Sequence, residues 1–472
     1  MTGEEWLHEG ITRVIGFLGS WARAGVLGCA LVAGTAAPMS VASAAMGARP
    51  ASRSAVTGHV SPIPAAGTPQ LGPAGSVEEV RQIAECGGTM YAVGTFSAIE
   101  WGGKTYSRHN VFSFSATAPY RIRPWNPDAN GEVNSIALTP NCSYAWLGGD
   151  FTKVAGTSAG NIAKVSTSAG AVVTTWAHRA SKMVDTVLYT PSGHVLVGGE
   201  FTSINGSGRS FYASLNPSTG RDDGYLNLSI SGRYVYPGAA FNQTQIYNQQ
   251  LSPDGRHVLV EGVFTSVQGR SRQQIFMLSL GAGHGDVSDW NFSGFGQHCV
   301  DSHPFYIKGA AWSPDQSTVY IATTGEHPLN WRGSFPFTGL CDVAAAFPAA
   351  QASGLHPKWV NYTGCDSLYS AAADASTVYV GGHERWADNP RGCNEAGPGA
   401  IHAPGLGGFT PGGSLLTNVG GTAGRYRRAR GYGADDMLRT RAGLWIASDN
   451  FHGSVTCGDV TGHAGICFLP NS

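Results

Sequence analysis

The phrase YAVGTFSAI at Tyr91 returns as YAWLGGDFTKVAG at Tyr144, HVLVGGEFTSING at His194 and HVLVEGVFTSVQG at His257. Weaker copies follow as STVYIATTGEHP from Ser317, STVYVGGHERW from Ser376 and GLWIASDNFHG from Gly443. A unit of this length cannot bury its apolar face alone, so neighbouring copies must stack, and the average spacing of about 59 residues is a propeller period lengthened by inserted loops. Seven copies predict an all-β fold: a seven-bladed β-propeller with four-stranded blades. In the second copy, Asn134 to Thr139, Tyr144 to Phe151, Asn161 to Ser166 and Val172 to Trp176 are the expected strands a to d. TPNC, TPSG and SPDG supply turns between strands. Tryptophan recurs near the end of strand d at positions 125, 176, 290 and 359, where an indole would wedge between blades. The last copy has little after Cys467, so Gly58 to Pro73 is expected to supply its outer strand and close the ring, removing an open sheet edge.

The chain before the repeats reads as targeting and linker. Ala24 to Ala36 is an apolar run, and Ala42-Ser43-Ala44 has the small-x-small pattern of a signal-peptidase site. Residues 1–44 are therefore expected to be a signal peptide, 45–75 an Ala/Pro/Ser-rich linker whose end may lend the closing strand, and 76–472 the propeller. No later stretch approaches the roughly 20 apolar residues of a spanning helix. A secreted, extracellular or cell-surface location follows as the expectation. Apart from Cys29 in the apolar run, the chain has eight cysteines and no CxxC pair, which favours four disulfides over a metal cluster. Strand topology suggests Cys299 with Cys341 and Cys365 with Cys393 as braces of long loops. It also suggests Cys86 with Cys142 on the opposite face and Cys457 with Cys467 in the last hairpin. A formal net charge of -1 and a pI of about 6.9 provide no long-range field for a polyanion, so nucleic acid is not an expected partner.

The GG[DE]FT phrase, at Gly148-Gly149-Asp150-Phe151-Thr152 and Gly198-Gly199-Glu200-Phe201-Thr202, resembles the delta-60 repeat type of secreted bacterial β-propeller. The resemblance runs from about Tyr91 to Gly269 and weakens in the fifth and sixth copies, where Phe-Thr is lost. It implies a propeller fold, export and often a surface-associated life, but no shared reaction.

Long insertions at residues 220–243, 294–304, 327–339, 385–400 and 418–433 fall on the face where strand a starts and strand b ends, which marks a binding face. Asn134, Asp185, Asn248, Asp301, Asp366 and Asp435 stand near the starts of strand a and are expected to ring the channel mouth. Asp150, Glu200, Glu326, Glu384 and Asp449 stand at the ends of strand b. The last three copies add histidine there: Glu326-His327, His383-Glu384, and Asp449 with His452. Such pairs can exchange protons, bind a polar ligand or hold a metal; equally, they can be solvated loop residues. His383, Glu384, Asp449 and His452 are the candidate catalytic residues. Glu326, His327, Asp366, Asp435, Trp386, Arg425, Tyr426 and Arg428 are the candidate ligand contacts, since guanidinium forks and aromatic faces suit acidic sugars and phosphates.

No cofactor is expected. Asn126-Pro-Asp128-Ala-Asn130-Gly131 has the front spacing of a calcium loop, but Ala137 stands where the bidentate carboxylate belongs. The Cys-Cys pair of many quinoprotein dehydrogenases and a complete sialidase SxDxGxTW box are both missing from the sequence. The sequence thus favours a monomeric propeller binding a glycan or another cell-surface ligand. A hydrolase or lyase on extracellular polysaccharide, and a protein-protein scaffold, are the alternatives.

Overall fold

The computed structural model describes residues 59–73, 77–233, 243–297, 299–300, 303–326, 339–420, 426–427, 433–450, 456–457 and 460–472. Two units are distinguished, Met1–Ala48 and Arg49–Ser472, and the first lies outside the described residues, as do the expected leader and most of the linker. Among the described residues the chain is all-β and of propeller type, with one 3-10 turn at Ser293–Gly296 and no helix long and apolar enough to cross a membrane.

Each repeat copy forms an antiparallel sheet in chain order. The first strands are Glu79–Cys86, Glu132–Leu138, Val184–Tyr189, Gln245–Leu251, Ile307–Trp312, Leu368–Ala373 and Ala434–Arg439. Each pairs with the strand carrying the repeat phrase: Thr89–Thr95, Tyr144–Asp150, Val195–Gly199, His257–Val263, Thr318–Thr323, Val378–Gly382 and Gly443–Ser448. A third strand completes each ladder. A fourth is a full strand in the fourth and fifth sheets, Gly285–Val287 and Trp359–Tyr362. In the first three sheets and the sixth it shrinks to single bridges, including Val165 to Val172 where a longer strand is expected from sequence. The second strands are buried on both faces because sheets pack on either side, hence their unbroken apolar runs.

Apolar clusters fill the spaces between consecutive sheets. Ala137 and Trp146 of the second sheet pack with Val187 and Val197 of the third. The last and first sheets meet in the same manner: Trp445 and Phe468 pack with Phe112 and Phe114. The recurring tryptophans each donate an indole N–H to a carbonyl of the following sheet: Trp125 to Ser166 (2.9 Å), Trp176 to Asn216 (3.3 Å), Trp290 to Pro348 (2.9 Å) and Trp359 to Pro411 (3.0 Å). These polar handles let the rings of Trp125, Trp176 and Trp290 be buried between sheets with their N–H groups satisfied, while Trp359 is half-buried. Along the last sheet runs the segment from His59 to Leu71, with Val60 bridged to Asn471 and the amides of Ser61, Ala65 and Leu71 donating to Pro470, Phe468 and Ala464.

Disulfides join Cys86 to Cys142, Cys299 to Cys341, Cys365 to Cys393 and Cys457 to Cys467, the pairs suggested by strand topology. In the chain-entropy account, the sequence separations of 56 and 10 residues make the first worth about 4 kcal/mol and the last about 3 kcal/mol.

The diglycine of the repeat phrase has a specific cause. In every one of the seven first strands the pairing register slips by one residue, and the slip falls opposite the position that the diglycine fills in the second, third and sixth sheets. The slip drives a first-strand carbonyl against the second glycine: a Cβ on Gly149 would lie 2.1 Å from the Glu132 oxygen, and one on Gly199 would lie 2.3 Å from the Met183 oxygen. The first glycine yields to the next sheet, since a Cβ on Gly148 would lie 2.5 Å from a Val184 methyl. Gly149→Ala is expected to lower unfolding stability by about 1–3 kcal/mol through overpacking. Gly208→Ala, where a Cβ meets nothing within 4 Å, is expected to leave stability unchanged; urea unfolding of the two variants checks the pair.

Candidate functional site: the bulge ring

A β-bulge re-aims one side chain while leaving the ladder on either side intact. Here the extra residues are Arg81, Asn134, Asp185, Tyr247, Lys308, Tyr369 and Asp435, one from each sheet. All seven are half-buried, although most of their strand neighbours are buried. Their side chains converge from different sheets. Arg81 bonds Glu79 and Asn134 and lies 3.3 Å from Glu132. Asn134 Nδ2 donates to Asp185 at 3.4 Å. Tyr247 donates its hydroxyl to the Ile307 carbonyl, and the Lys308 ammonium sits 4.7 Å from the Tyr247 ring centre. Asn248, next to the bulge, donates to Glu261 at 3.3 Å and to the Lys308 carbonyl at 3.4 Å.

The ring has perturbed protonation. Burial, reinforced by Glu200, pushes the Asp185 carboxyl up to about 8 against the pull of Lys308 and Arg81. Asp185 is half-buried, and its enclosure by protein dominates the rise. Burial also raises Glu261 to about 8 and lowers Lys308, although Asp185, Asp435 and Glu261 counter the latter. For Arg81, burial opposes the charge but Glu79 and Glu132 outweigh it and hold the guanidinium above its ordinary value.

The position after the bulge stitches sheet to sheet. Gln82 accepts the Ile136 amide at 2.6 Å, Ser135 accepts Val187 at 3.0 Å, and Ser370 donates to the Ala434 carbonyl at 2.6 Å. Asp436 of the last sheet accepts the Ile83 amide of the first at 3.0 Å, and burial raises its carboxyl to about 6.

Of the residues expected to ring the channel, Asn134, Asp185 and Asp435 are bulged residues. Asn248 stands one place beyond Tyr247, Asp301 lies outside the described residues, and Asp366 stands before its strand, where Tyr369 takes the bulge. Arg81, Lys308 and the two tyrosines were not anticipated, because the sequence reading sought acids and amides at strand starts, whereas the bulge sets the ring. The signal available was the diglycine itself, which counts back to its strand partner.

A second polar cluster joins the fifth and sixth sheets. Asp366 is 4% exposed and accepts Arg385 Nε at 2.7 Å and Nη2 at 2.8 Å. Arg385 also bonds Asn394, so this ion pair and the Cys365–Cys393 disulfide anchor the 385–400 insertion. Glu326 pairs with His303 Nδ1 at 2.9 Å, and its hydrogen bond raises the His303 imidazole against burial. Glu326, Cys365 and Cys393 offer ligand atoms within 4.8 Å of one another, but the disulfide removes both thiolates and leaves one carboxylate. Beside these, Asp342 is buried and its carboxyl is driven well upward by desolvation, with Asp366 and Glu326 adding to the rise.

The candidate catalytic residues His383 and Glu384 follow the second strand of the sixth sheet, and Asp449 follows that of the seventh. His383 meets the Tyr369 ring edge-on at 5.5 Å. Glu384 is 3% exposed, and its carbonyl accepts the Gly405 amide. Asp449 is fully buried, bridges Glu79 through its backbone and accepts the Gly433 amide at 3.3 Å. Trp386 faces His402 across a short hairpin. Tyr426 is described as backbone only, paired with Cys457. His327, Arg425, Arg428 and His452 lie outside the described residues. In the calcium-like stretch, Asp128 holds His109 at 2.7 Å and Asn130 caps the Thr152 and Lys153 amides.

No protein-family model matches the chain, and no curated protein matches its sequence. Similar solved structures include that of U3-55K, at TM-score 0.46 and 8% identity over 86% of this chain and 99% of the other. Kuenenia stuttgartiensis hydrazine synthase gives 0.44 and 10% over 79% and 94%, and the WD40 repeats of RRP9 give 0.41 and 10% over 87% and 99%. At these scores the likeness carries no argument about this chain, whose fold rests on its own strand pairing.

The raised Asp185 carboxyl makes a signed prediction. Between about pH 4 and pH 8 the folded chain keeps a proton that the unfolded chain has released, so stability falls as pH rises through that window. Asp185→Asn, which retains the acceptor for Asn134, is expected to raise Tm relative to the parent at pH 8 and to match it near pH 4. Calorimetry across this range checks the prediction; a Tm difference independent of pH would refute it.

Proposed function

We propose that this chain is a secreted or cell-surface seven-bladed propeller of the delta-60 repeat type that binds a polar ligand, a glycan, through its insertion-bearing face. The observation that carries the reading is the repeated bulge: in seven sheets among the described residues one side chain is turned out of the ladder, and six of those side chains are charged or hydroxyl-bearing, which supports a shared polar face. Such convergence, with tyrosine faces among carboxylates and amides, suits a ligand rich in hydroxyl and amino groups. The pairing of His59 to Leu71 with the last sheet, the Asp436 to Ile83 bond and the packing of Trp445 against Phe114 support closure of the ring. Four disulfides fit an oxidising extracellular compartment.

The test incubates the mature chain with fractionated cell-wall and extracellular polysaccharides and records retained protein and released fragments together. Retention without fragments is expected. Fragments that vanish with His383→Ala would replace binding by a hydrolase or lyase, and no retention on any fraction would remove the glycan reading.

A further inference from the structure

An arginine of the fourth sheet lacks the partner that its counterpart in the third sheet holds. Strand pairing aligns the two copies: Tyr212 pairs with Gly198 as Ile275 pairs with Glu261, so Arg209 and Arg272, each three residues earlier, share one repeat position. By the same register, Leu215 bridges Asp222 where Leu278 pairs with Val287. In the third sheet Arg209 Nε donates to Asp222 Oδ2 at 2.6 Å. In the fourth, valine stands where that carboxylate would be, and Arg272 Nε is buried with no hydrogen-bond partner among the described residues. Arg272 is 6% exposed and donates instead to two backbone carbonyls, Nη1 to Ser271 at 2.9 Å and Nη2 to Ser288 at 2.8 Å. The acids nearby are engaged elsewhere: Asp289 pairs with Arg270 at 2.9 Å, and Asp286 with His284 at 2.8 Å. A buried guanidinium donor without an acceptor costs free energy until an acceptor, best an anionic one, reaches it.

Arg272 lines an open groove of about 490 Å³ that runs between the fourth sheet and the Gln351 to Ser353 turn of the fifth, with Arg270 and Asp289 beside it. Past Arg270, Asp289 and Gln351 it continues into a second hollow of about 570 Å³, which Val287 lines. Its two walls are tied together, since the Asn291 amide donates to the Ala352 carbonyl at 3.1 Å and the Leu355 amide to the Asn291 carbonyl at 3.3 Å. We propose that this groove binds a carboxylate carried by the ligand, in the role that Asp222 plays within the third sheet, and that the glycan held by this chain contains uronate residues. The second half rests on the glycan reading above; the first does not. The guanidinium fork matches a carboxylate in shape and charge. Beside Arg272 two guanidinium groups stand against the single carboxylate of Asp289, so an entering anion meets a local excess of positive charge. Burial and the neighbouring Arg270 also lower Arg272 from its ordinary value, with Asp289 opposing them, and a bound anion would relieve both. Asp289, Gln351 and Ser353 bring the acceptors and donors that sugar hydroxyls require.

Calorimetric titration of the full chain at pH 7.5 separates the two halves. The probes are a galacturonate hexamer, its methyl ester, the neutral cellohexaose and citrate. The galacturonate hexamer is expected to bind at least about tenfold more tightly than its ester, with affinity falling as NaCl rises. Arg272→Gln, and Arg270→Gln on a half-exposed side chain, each verified as folded by circular dichroism, are expected to weaken it about tenfold. Val287→Asp, which returns the third-sheet partner, is expected to weaken the ligand likewise while raising Tm. Arg209→Gln, which removes an arginine already held by Asp222, is expected to leave affinity unchanged. Citrate binding that responds to Arg272→Gln and Val287→Asp while no glycan binds would keep the carboxylate site and overturn its uronate half. An ester bound as tightly as the acid, binding indifferent to Arg272→Gln and Val287→Asp, or binding of cellohexaose alone would overturn the carboxylate site and leave the glycan reading standing. Binding of none of the four would overturn the carboxylate site, and the polysaccharide fractions then decide the glycan reading by themselves.

Discussion

The contact on which this molecule depends is the approach of a first-strand carbonyl to a residue with no side chain. Where the register slips, the Glu132 and Met183 oxygens sit where a Cβ would otherwise be, and in those sheets glycine lets the strands pair through the slip without displacement. The slip supplies the sharp local twist by which each strand turns one side chain out of the ladder, and the neighbouring glycine lets the next sheet approach. Packing, channel and repeat phrase thus share one cause. In the fifth and seventh sheets, Thr323 and Ser448 replace the second glycine, and both hydroxyls join local backbone hydrogen bonds. The geometry is retained there by polar bonding, and the repeat becomes harder to see in sequence.

That origin explains how scaffold and site coexist in consecutive residues. The bulged residue is turned out of the ladder and differs from copy to copy, as the set of arginine, asparagine, aspartate, lysine and tyrosine shows. Its successor belongs to the scaffold: Gln82, Ser135, Ser370 and Asp436 bond the adjoining sheet, and Asp436 does so between the last sheet and the first. A buried aspartate is a costly way to hold one amide. Sequence proximity alone cannot assign such adjacent acids: Asp435 belongs to the ring, whereas Asp436 belongs to the seam.

Much of the architecture was legible because it follows from periodicity. The unit, strand order, inter-sheet tryptophans and disulfide partners all derive from counting along a repeat, and the cysteines lie close once the strands are placed. The site was less legible, since a bulge shifts the inward position by one residue and no alternation rule reveals it. Reading acids at strand starts found Asp185 and Asp435 but passed over Lys308, whose strand neighbours are apolar or small, and Tyr247, which reads as core. The histidine-bearing ends of the last copies are chemically distinctive in sequence, and the fold buries Asp449 and Glu384 there. Tertiary enclosure sets that burial, and no local pattern carries it.

The free-energy position of the ring follows from the same enclosure. The bulges bring side chains from separate sheets together, so sequence separation does not keep their charges apart. Lys308 and Arg81 offset part of the carboxylate repulsion, and protonation of Asp185 and Glu261 relieves more, leaving a neutral acid beside an ammonium where a compact ion pair could have formed. Evolution toward stability alone would replace these groups with packed apolar side chains, which often cost less than buried ions. Retaining them costs the chain some stability. The scaffold can sustain that loss because its principal contacts, the glycine-carbonyl approach, the inter-sheet indoles and the four disulfides, involve none of the seven bulged side chains.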